Sequence, residues 1–238
     1  MINEGPPVKP RPAATVLLLR GADPWQVLMM RRPGGADFAP GAHVFPGGSV
    51  HAEDRRLGGA FEGAAVRELF EELGILLARG PRGFAAEADA ERIRLRTVHG
   101  VSFPTALREA GLGPALEELV YFARWVTPEL LRRRFDTRFY LARLPPGQEV
   151  HPQPGEVDEW LWTSPREALA DPAFSMVFAT RRVLEAVAVD SDIDSLLDRY
   201  RGRRVRVARP RVELVGGRFE VVSASLPALP RARARRAR

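Results

Sequence analysis

Residues 67–75 read Arg67-Glu68-Leu69-Phe70-Glu71-Glu72-Leu73-Gly74-Ile75, and their spacing governs how everything around them is read. At about 100° per residue, Glu68, Glu71 and Glu72 fall on one arc of a helix, because positions three and four apart are neighbours. Ala65, Val66, Leu69, Phe70 and Leu73 occupy the adjoining arc and can pack on a sheet. The pattern predicts a helix over Phe61–Leu73, stopped by Gly74 in a left-handed C-terminal cap. Three carboxylates on one face repel one another unless a cation sits among them. Hard divalent cations take oxygen ligands, and Mg²⁺ commonly combines a few carboxylates with substrate phosphates and waters. On their own, the glutamates fit a solvated acidic face, partly neutralised by Arg67, equally well.

Upstream lies Phe45-Pro46-Gly47-Gly48, with Gly48 nineteen residues before Arg67. It reads as a strand end closing on a glycine pair, where backbone can approach another group without a side chain intervening. The Gly48 carbonyl can complete a metal site begun by the helix. Further out, Ala13–Leu19 and Gln26–Met30 are β-rich apolar runs around a Gly-Ala-Asp-Pro turn, the pattern of a hairpin. A short strand is expected at His43–Phe45 and a polar, glycine-containing stretch at Ser49–Gly59. Pro81–Leu119 reads as a helical insertion. Strands are expected at Val120–Val126, Phe135–Leu144 and Glu159–Trp162, with a short helix from Pro165 to Leu169. One or two helices should lie in Ala173–Tyr200, broken near Asp190. Val205–Leu214 and Arg218–Val222 suit a last hairpin around Gly216-Gly217. Strands around one long helix, with more helices at the periphery, predict an α/β or α+β sandwich.

Composition narrows the function classes. The 238 residues carry 45% hydrophobic and 28% charged side chains, as expected of a globular domain with a proper core. There is no cysteine, which excludes disulfides and thiolate chemistry. The opening apolar run is too short for a membrane span and too interrupted by proline for a signal peptide, so a cytoplasmic protein is expected. The formal charge is +6, and Lys9 is the one lysine among 36 basic residues. Five arginines crowd into Arg231–Arg238, which reads as a solvated tail more readily than as a nucleic-acid grip. His43 and His51 flank Phe45–Gly48 without a partner pattern and are taken as structural. Trp25 and Trp125 are expected to pack in the core.

The pairing of FPGG with RELFEELGI resembles the Nudix box, G-x5-E-x7-R-E-U-x-E-E-x-G-U, where U is a bulky aliphatic residue. Arg67, Glu68, Leu69, Glu71, Glu72, Gly74 and Ile75 match its right half, and Gly48 takes its first glycine. Asp54 stands at the box's first glutamate, and twelve residues rather than seven separate it from Arg67. Asp54, Glu53 or Glu62 can supply the acidic support for the arginine. The interrupted box, PGAHVFPGG and RFDTRFYLARLPPGQEV resemble the coenzyme A diphosphatase branch related to the peroxisomal mammalian enzyme. A coenzyme A-directed signature, LLTxRSx3Rx3Gx3FPGG, is met at Arg32, Gly41 and Phe45–Gly48, but Asp37 stands where it has its second arginine.

The resemblance implies a Nudix α/β/α sandwich over residues 13–202, with mixed sheet, catalytic helix, a helical insertion at about 81–119 and C-terminal helices. Residues 203–238 form an extension. It further implies Mg²⁺ or Mn²⁺ held by Gly48, Glu68, Glu71 and Glu72. Glu71 and Glu72 are the main ligands, Glu68 a ligand or the proton acceptor, and Arg67 the group that orients them. The acidic loop before Trp160 should bring a base or further ligand, with Glu159 assigned to catalysis and Glu156 to the substrate. Arg31 and Arg32 are placed at substrate phosphates. The substrate implied is coenzyme A or an acyl derivative, split into 3′,5′-ADP and 4′-phosphopantetheine, with ADP-ribose, NADH or another nucleotide diphosphate as the alternative. A non-catalytic nucleotide sensor and a nucleic-acid-binding protein built on the arginine tail are competing classes. A homodimer is compatible with this reading, and no membrane partner is expected.

Overall fold

Alternation at period two makes the first apolar run the middle of a sheet. Ala14, Val16 and Leu18 point to one face and Leu17 and Leu19 to the other, and each face has its own core. The computed structural model describes residues 3, 5–36, 39–157, 159–216 and 218–222. Strands β1 (Arg11–Arg20) and β2 (Gln26–Arg31) form the expected hairpin, with Leu19 opposite Val27. Short strands β3 (His43–Val44) and β4 (Gly47–Ser49) follow, then helix α1 (Ala60–Leu73). The helix begins one residue before its predicted start and ends at Gly74, whose φ of 72° is the left-handed cap.

The insertion is less purely helical than its sequence suggests. Helices α2 (Glu87–Val98) and α3 (Phe103–Glu109) are there. They are closed at their base by a small sheet of β5 (Ala78–Gly80), β6 (Gly83–Phe84) and β7 (Gly113–Pro114), in the order β6-β5-β7. Strands of two or three residues show no periodicity, and this sheet exists because its ends meet in space. The long strands β8 (Val120–Val126) and β9 (Phe135–Arg143) come next, then β10 (Glu159–Thr163) and helix α4 (Pro165–Ala170). Helices α5 (Phe178–Val187) and α6 (Ile193–Tyr200) are separated at Asp190 as expected, with Asp192 capping α6 through the Ser195 N–H. Strand β11 (Val207–Ala208) extends the main sheet, and β12 (Arg211–Val215) pairs with β13 (Arg218–Val222). Gly217 between them, Asp37, Asp158 and the Arg231–Arg238 tail lie outside the described residues.

The main sheet runs β10-β2-β1-β9-β8-β11 and is mixed: β1 is parallel to β9 and antiparallel to β2 and β4. One flank of β1 is wholly taken by β9, from the Arg11–Phe135 pair to the Leu19–Arg143 pair. The other flank is divided. Its end pairs with β2, and its start pairs with β4, Gly48 opposite Ala14 and Gly47 opposite Thr15. This division carries the glycine pair into the body of the sheet, beneath α1. Helix α1 and the insertion cover one face, through Leu69, Phe70 and Leu73 among others. Helices α5 and α6 cover the opposite face, where Trp25 and Trp125 are buried as core residues.

The RFDTRFYLARLPPGQEV segment is the frame that joins these layers. Arg134 is buried and donates to the carbonyls of Thr127 and Val8. The Arg138 guanidinium lies 3.8 Å over the Phe61 ring, and Tyr140 O–H donates to Glu62 at 2.8 Å, fixing the start of α1 to β9. Gln148 is buried and uses its whole amide: it accepts from the Leu76 N–H (2.8 Å) and donates to the carbonyls of Leu76 (2.9 Å) and Ala85 (2.8 Å). It ties the exit of α1 to the entry of the insertion. Gln148→Leu keeps the bulk and leaves the Leu76 N–H and the Ala85 carbonyl without a partner, while the Leu76 carbonyl keeps the Ala78 N–H. Each stranded group costs about 1–3 kcal/mol, so urea unfolding should show a loss of roughly 2 kcal/mol or more. A loss under about 1 kcal/mol would show that water replaces the amide and that the clamp is not what joins the insertion to the core.

Candidate active site on the acidic helix

A guanidinium has five N–H donors in a rigid fork, and burying one demands five acceptors. Arg67, 1% exposed, finds all five. Its Nε donates to Asp54 Oδ1 at 2.7 Å, and its Nη2 to Asp54 Oδ2 at 3.2 Å and to the Ser49 carbonyl at 2.8 Å. Its Nη1 donates to Glu68 Oε1 at 2.9 Å and to Glu71 Oε2 at 2.6 Å. Burial alone lowers the pKa of Arg67, but the Asp54 bond and the charges of Glu68 and Glu71 outweigh it and raise the pKa. The cation is fixed.

Of the three acidic residues near enough in sequence to support this arginine, Asp54 does so. The polar stretch after Ser49 folds as a 3-10 turn over Ala52–Leu57, with Leu57 buried and Asp54 fully enclosed. Asp54 Oδ2 also accepts the His51 N–H at 2.6 Å. The longer separation from Arg67 is thereby taken up within one compact turn. The turn lies so close to α1 that a Cβ at Gly63 would overlap the Asp54 carbonyl. Glycine inside a helix costs stability, and here close approach requires it. Glu62 serves elsewhere, accepting from Tyr140 and pairing with Arg138 at 3.7 Å.

The Gly47-Gly48 strand meets the same helix from below. Gly47 N–H donates to Glu72 Oε2 at 2.7 Å, and a Cβ on Gly48 would occupy the space of the Glu68 carboxyl group. Gly47, at φ 151°, has the Ala14 carbonyl where its own Cβ would be. Glu68, Glu71, Glu72 and Gly48 are thus brought together. Burial pushes the Glu72 carboxyl up to about 8, the charges of Glu68 and Glu156 push the same way, and the Gly47 N–H and Arg32 pull it down. Burial likewise raises Glu68, against the lowering pull of Arg67. Among the described residues no three acidic or histidine groups close into a ligand set. Glu68 and Glu71 are turned to Arg67, and Glu72 to Gly47. The donors are all oxygens, and Glu72 is buried beside like charge. That suits a hard divalent cation, which would supply the missing positive charge.

The other residues singled out by their sequence context separate into two groups. Arg32 and Glu156 lie within electrostatic reach of Glu72. Arg31 and Glu159 face each other across the β2–β10 register and pair at 3.3 Å on a half-exposed edge. His43 stacks on Phe174 at 4.3 Å, its N–H bonded to the Ser175 carbonyl, with burial lowering its pKa. Two features of the site are not foreshadowed by any motif: the Ser49 carbonyl on Arg67, and a cleft between α1 and α2. The doubled glycine and the Gly63 break in a helical run are the only sequence signals of such close packing.

A mixed sheet bearing an arginine-braced acidic helix over a glycine pair is the architecture of the Nudix hydrolases. The family model described as the NUDT19 Nudix domain matches residues 57–177, and the chain belongs to that family. Putative nudix hydrolase 7 of Caenorhabditis elegans is 33% identical over 155 residues, covering 65% of this chain and 51% of its own length. The acyl-coenzyme A diphosphatase NUDT19 of Homo sapiens is 29% identical over 226 residues, covering 68% of this chain and 57% of its own. The chain therefore spans little more than half the length of these relatives. A crystal structure of a NUDIX hydrolase from Alicyclobacillus acidocaldarius superposes with a TM-score of 0.71 at 28% identity, covering 83% of this chain and 99% of that one.

Two variants test the geometry. Asp54→Ala removes the fully buried partner of Arg67 and leaves its Nε and one Nη2 donor without acceptors, and breaking a buried pair costs about 3–5 kcal/mol. Chemical denaturation should show a loss in that range. A loss below about 1 kcal/mol would mean that another acid braces Arg67. Glu72→Gln retains an acceptor for the Gly47 N–H and removes a carboxyl group that burial and the charge of Glu68 make costly to ionise. In chelator-treated protein its melting temperature should equal or exceed that of the parent, and the rise on adding Mg²⁺ or Mn²⁺ should vanish. A variant that keeps the full metal-dependent rise would remove Glu72 from the ligand set.

Proposed function

We propose that this chain is a divalent-metal-dependent diphosphatase acting on coenzyme A or its acyl derivatives. The observation that carries the reading is the Asp54–Arg67 brace, which holds three glutamates of one helix against a glycine pair. Glu71 and Glu72, with Glu68 and the Gly48 carbonyl, would hold Mg²⁺ or Mn²⁺. The bound cation supplies neutralisation of the diphosphate charge and lowers the pKa of water. Arg32, whose charge acts on Glu72, would meet a phosphate oxygen. Glu156, on the same side, is the better-placed base or additional ligand, because Glu159 is engaged with Arg31.

In the reaction a water oxygen bonds to one phosphorus, the bridging P–O bond breaks, and the water's proton passes to a carboxylate, Glu68 or Glu156. The other phosphate leaves with the bridging oxygen. Coenzyme A would yield 3′,5′-ADP and 4′-phosphopantetheine. Positioning and fixed charge are the main sources of acceleration. The choice of coenzyme A draws on the activity for which the human relative is named, on Arg32 and Gly41 within the coenzyme A-directed signature, and on the interrupted box.

The test is kcat/KM with Mg²⁺ and with Mn²⁺ for coenzyme A, dephospho-coenzyme A, ADP-ribose and NADH, products identified by mass. Coenzyme A compounds should be favoured, and Glu71→Gln and Glu72→Gln should each lose turnover by orders of magnitude with the fold intact. A tenfold preference for ADP-ribose or NADH, about 1.4 kcal/mol of discrimination, would overturn the substrate but not the reaction. Unchanged turnover in both variants would overturn the site.

A further inference from the structure

In the stretch His151-Pro152-Gln153-Pro154-Gly155-Glu156, prolines stand on either side of Gln153. Proline has no N–H to give, so the donors of this loop fall on the residues between. They reach back to earlier segments. Glu149 N–H donates to the Glu87 carboxylate at 3.2 Å, His151 N–H to the Leu73 carbonyl at 2.8 Å and Gln153 N–H to the Glu72 carbonyl at 2.9 Å. Those two carbonyls lie at the end of α1, where a helix has no partners of its own for them. Gly74 makes room for the crossing, since a Cβ there would overlap the Arg94 guanidinium and press on His151. The chain then turns on the Gln153 carbonyl, which accepts the Glu156 N–H at 3.2 Å, and Val157 enters the core. Glu156 is thereby delivered to the cleft between α1 and α2 that Glu71 also lines.

The insertion grips the middle of this loop. On α2, Glu87 and Arg94 stand seven residues apart and so share a face. Arg94 donates to the His151 carbonyl at 3.1 Å, and the Glu87 carboxylate meets the His151 ring at Nε2, 2.5 Å away. His151 is therefore held to α1 by its N–H and to α2 by its carbonyl and its ring. The Glu87 and His151 side chains are both about half exposed, where an ion pair contributes little to stability. What such a grip can supply is position.

We infer that Glu87 and His151 are positioning residues, through which the insertion holds the loop so that the Glu156 carboxylate stands against the acidic helix. This rests on the diphosphatase reading above and deepens it: Glu156, and not Glu68, is the proton acceptor. As the water oxygen bonds to phosphorus, its proton passes to the Glu156 carboxylate, and the bridging oxygen leaves with the electron pair of the broken P–O bond. Glu68 is less suited to that task, because its Oε1 already accepts from Arg67. A base must lie within hydrogen-bond reach of the proton it takes, and a misplacement of about 1 Å can cost on the order of 10²-fold in rate. The insertion is then part of the hydrolytic machinery.

The experiment uses the full chain with Mg²⁺ and whichever diphosphate of the panel above it hydrolyses best. Glu87→Ala should lower kcat at least tenfold with KM within twofold. Glu87→Gln keeps an acceptor for the Glu149 N–H and the His151 ring, and should stay within threefold of the parent. Glu156→Gln should itself lower kcat, and adding Glu87→Ala to it should cost nothing further, because the two act as one unit. Hydrogen exchange, in chelator and without substrate, gives a reading independent of turnover. The His151 and Gln153 amides should exchange at least tenfold faster in Glu87→Ala, while those within α1 are unchanged. Arg92→Ala breaks an ion pair internal to α2 and should alter neither measurement. Full turnover in Glu156→Gln or Glu87→Ala, additive losses in the double variant, or lost turnover with unchanged exchange would overturn the inference and leave the diphosphatase reading standing. A parent that hydrolyses none of the diphosphates sinks that reading, and the inference with it.

Discussion

The site depends on the burial of one guanidinium. Arg67 sits on α1, its acidic partner on the 3-10 turn, and its backbone acceptor on β4, so one side chain joins three segments that are separate in the chain. A buried cation costs several kcal/mol unless its geometry is complete, and here every donor is used. Lysine has three donors and no planar fork, and it could not satisfy the two oxygens of Asp54 and the Ser49 carbonyl together. The same nitrogen that neutralises Glu68 also reaches Glu71, so the helix tolerates an acidic face that would otherwise repel itself. Stability and chemistry are coupled through this residue.

The rest of the fold gives that brace its rigid surroundings. The β9 segment holds the first turn of α1 through Arg138 and Tyr140, while Gln148 holds the chain just past its last turn. The helix is therefore clamped at both ends by residues within one dozen positions of each other in sequence. With the ends fixed, the carboxylates lie where β4 delivers its glycines. The two cores divide the labour: the α1 face carries the site and the insertion, and the α5–α6 face is closed by packing around Trp25, Trp125 and Tyr200.

Much of this is legible in the residues, and the boundary between what is and what is not is physical. Long elements with one buried face announce themselves through periodicity, which is why α1, β1, β2, β8 and β9 lie close to their expected limits. The carboxylate trio and the glycine pair are legible because local spacing alone places them. The support for Arg67 is not, since Asp54, Glu53 and Glu62 are chemically equivalent until the turn over Ala52–Leu57 shows which one faces inward. The small sheet around β5 is invisible for a related reason: its pairings are made by the meeting of distant segments. The same holds for Glu156 and Glu159, three residues apart in one acidic loop, where the β10 register turns the second toward Arg31. Gly63 is a clue of another kind, a helix-weakening residue in a helical run that marks where the turn comes closest.

The shared flank of β1 has a consequence for how such a chain can change over time. Because β2 and β4 dock on the same side of one strand, the segment between them is held at both ends by β1's own ladder, with β3 paired to β2 on the way. Lengthening, shortening or rewriting that excursion leaves both docking points where they are, and with them the glycines beneath the acidic helix. The residues of that segment can thus diverge while the geometry around the acidic helix is kept. The architecture separates what a descendant is free to vary from what it must keep.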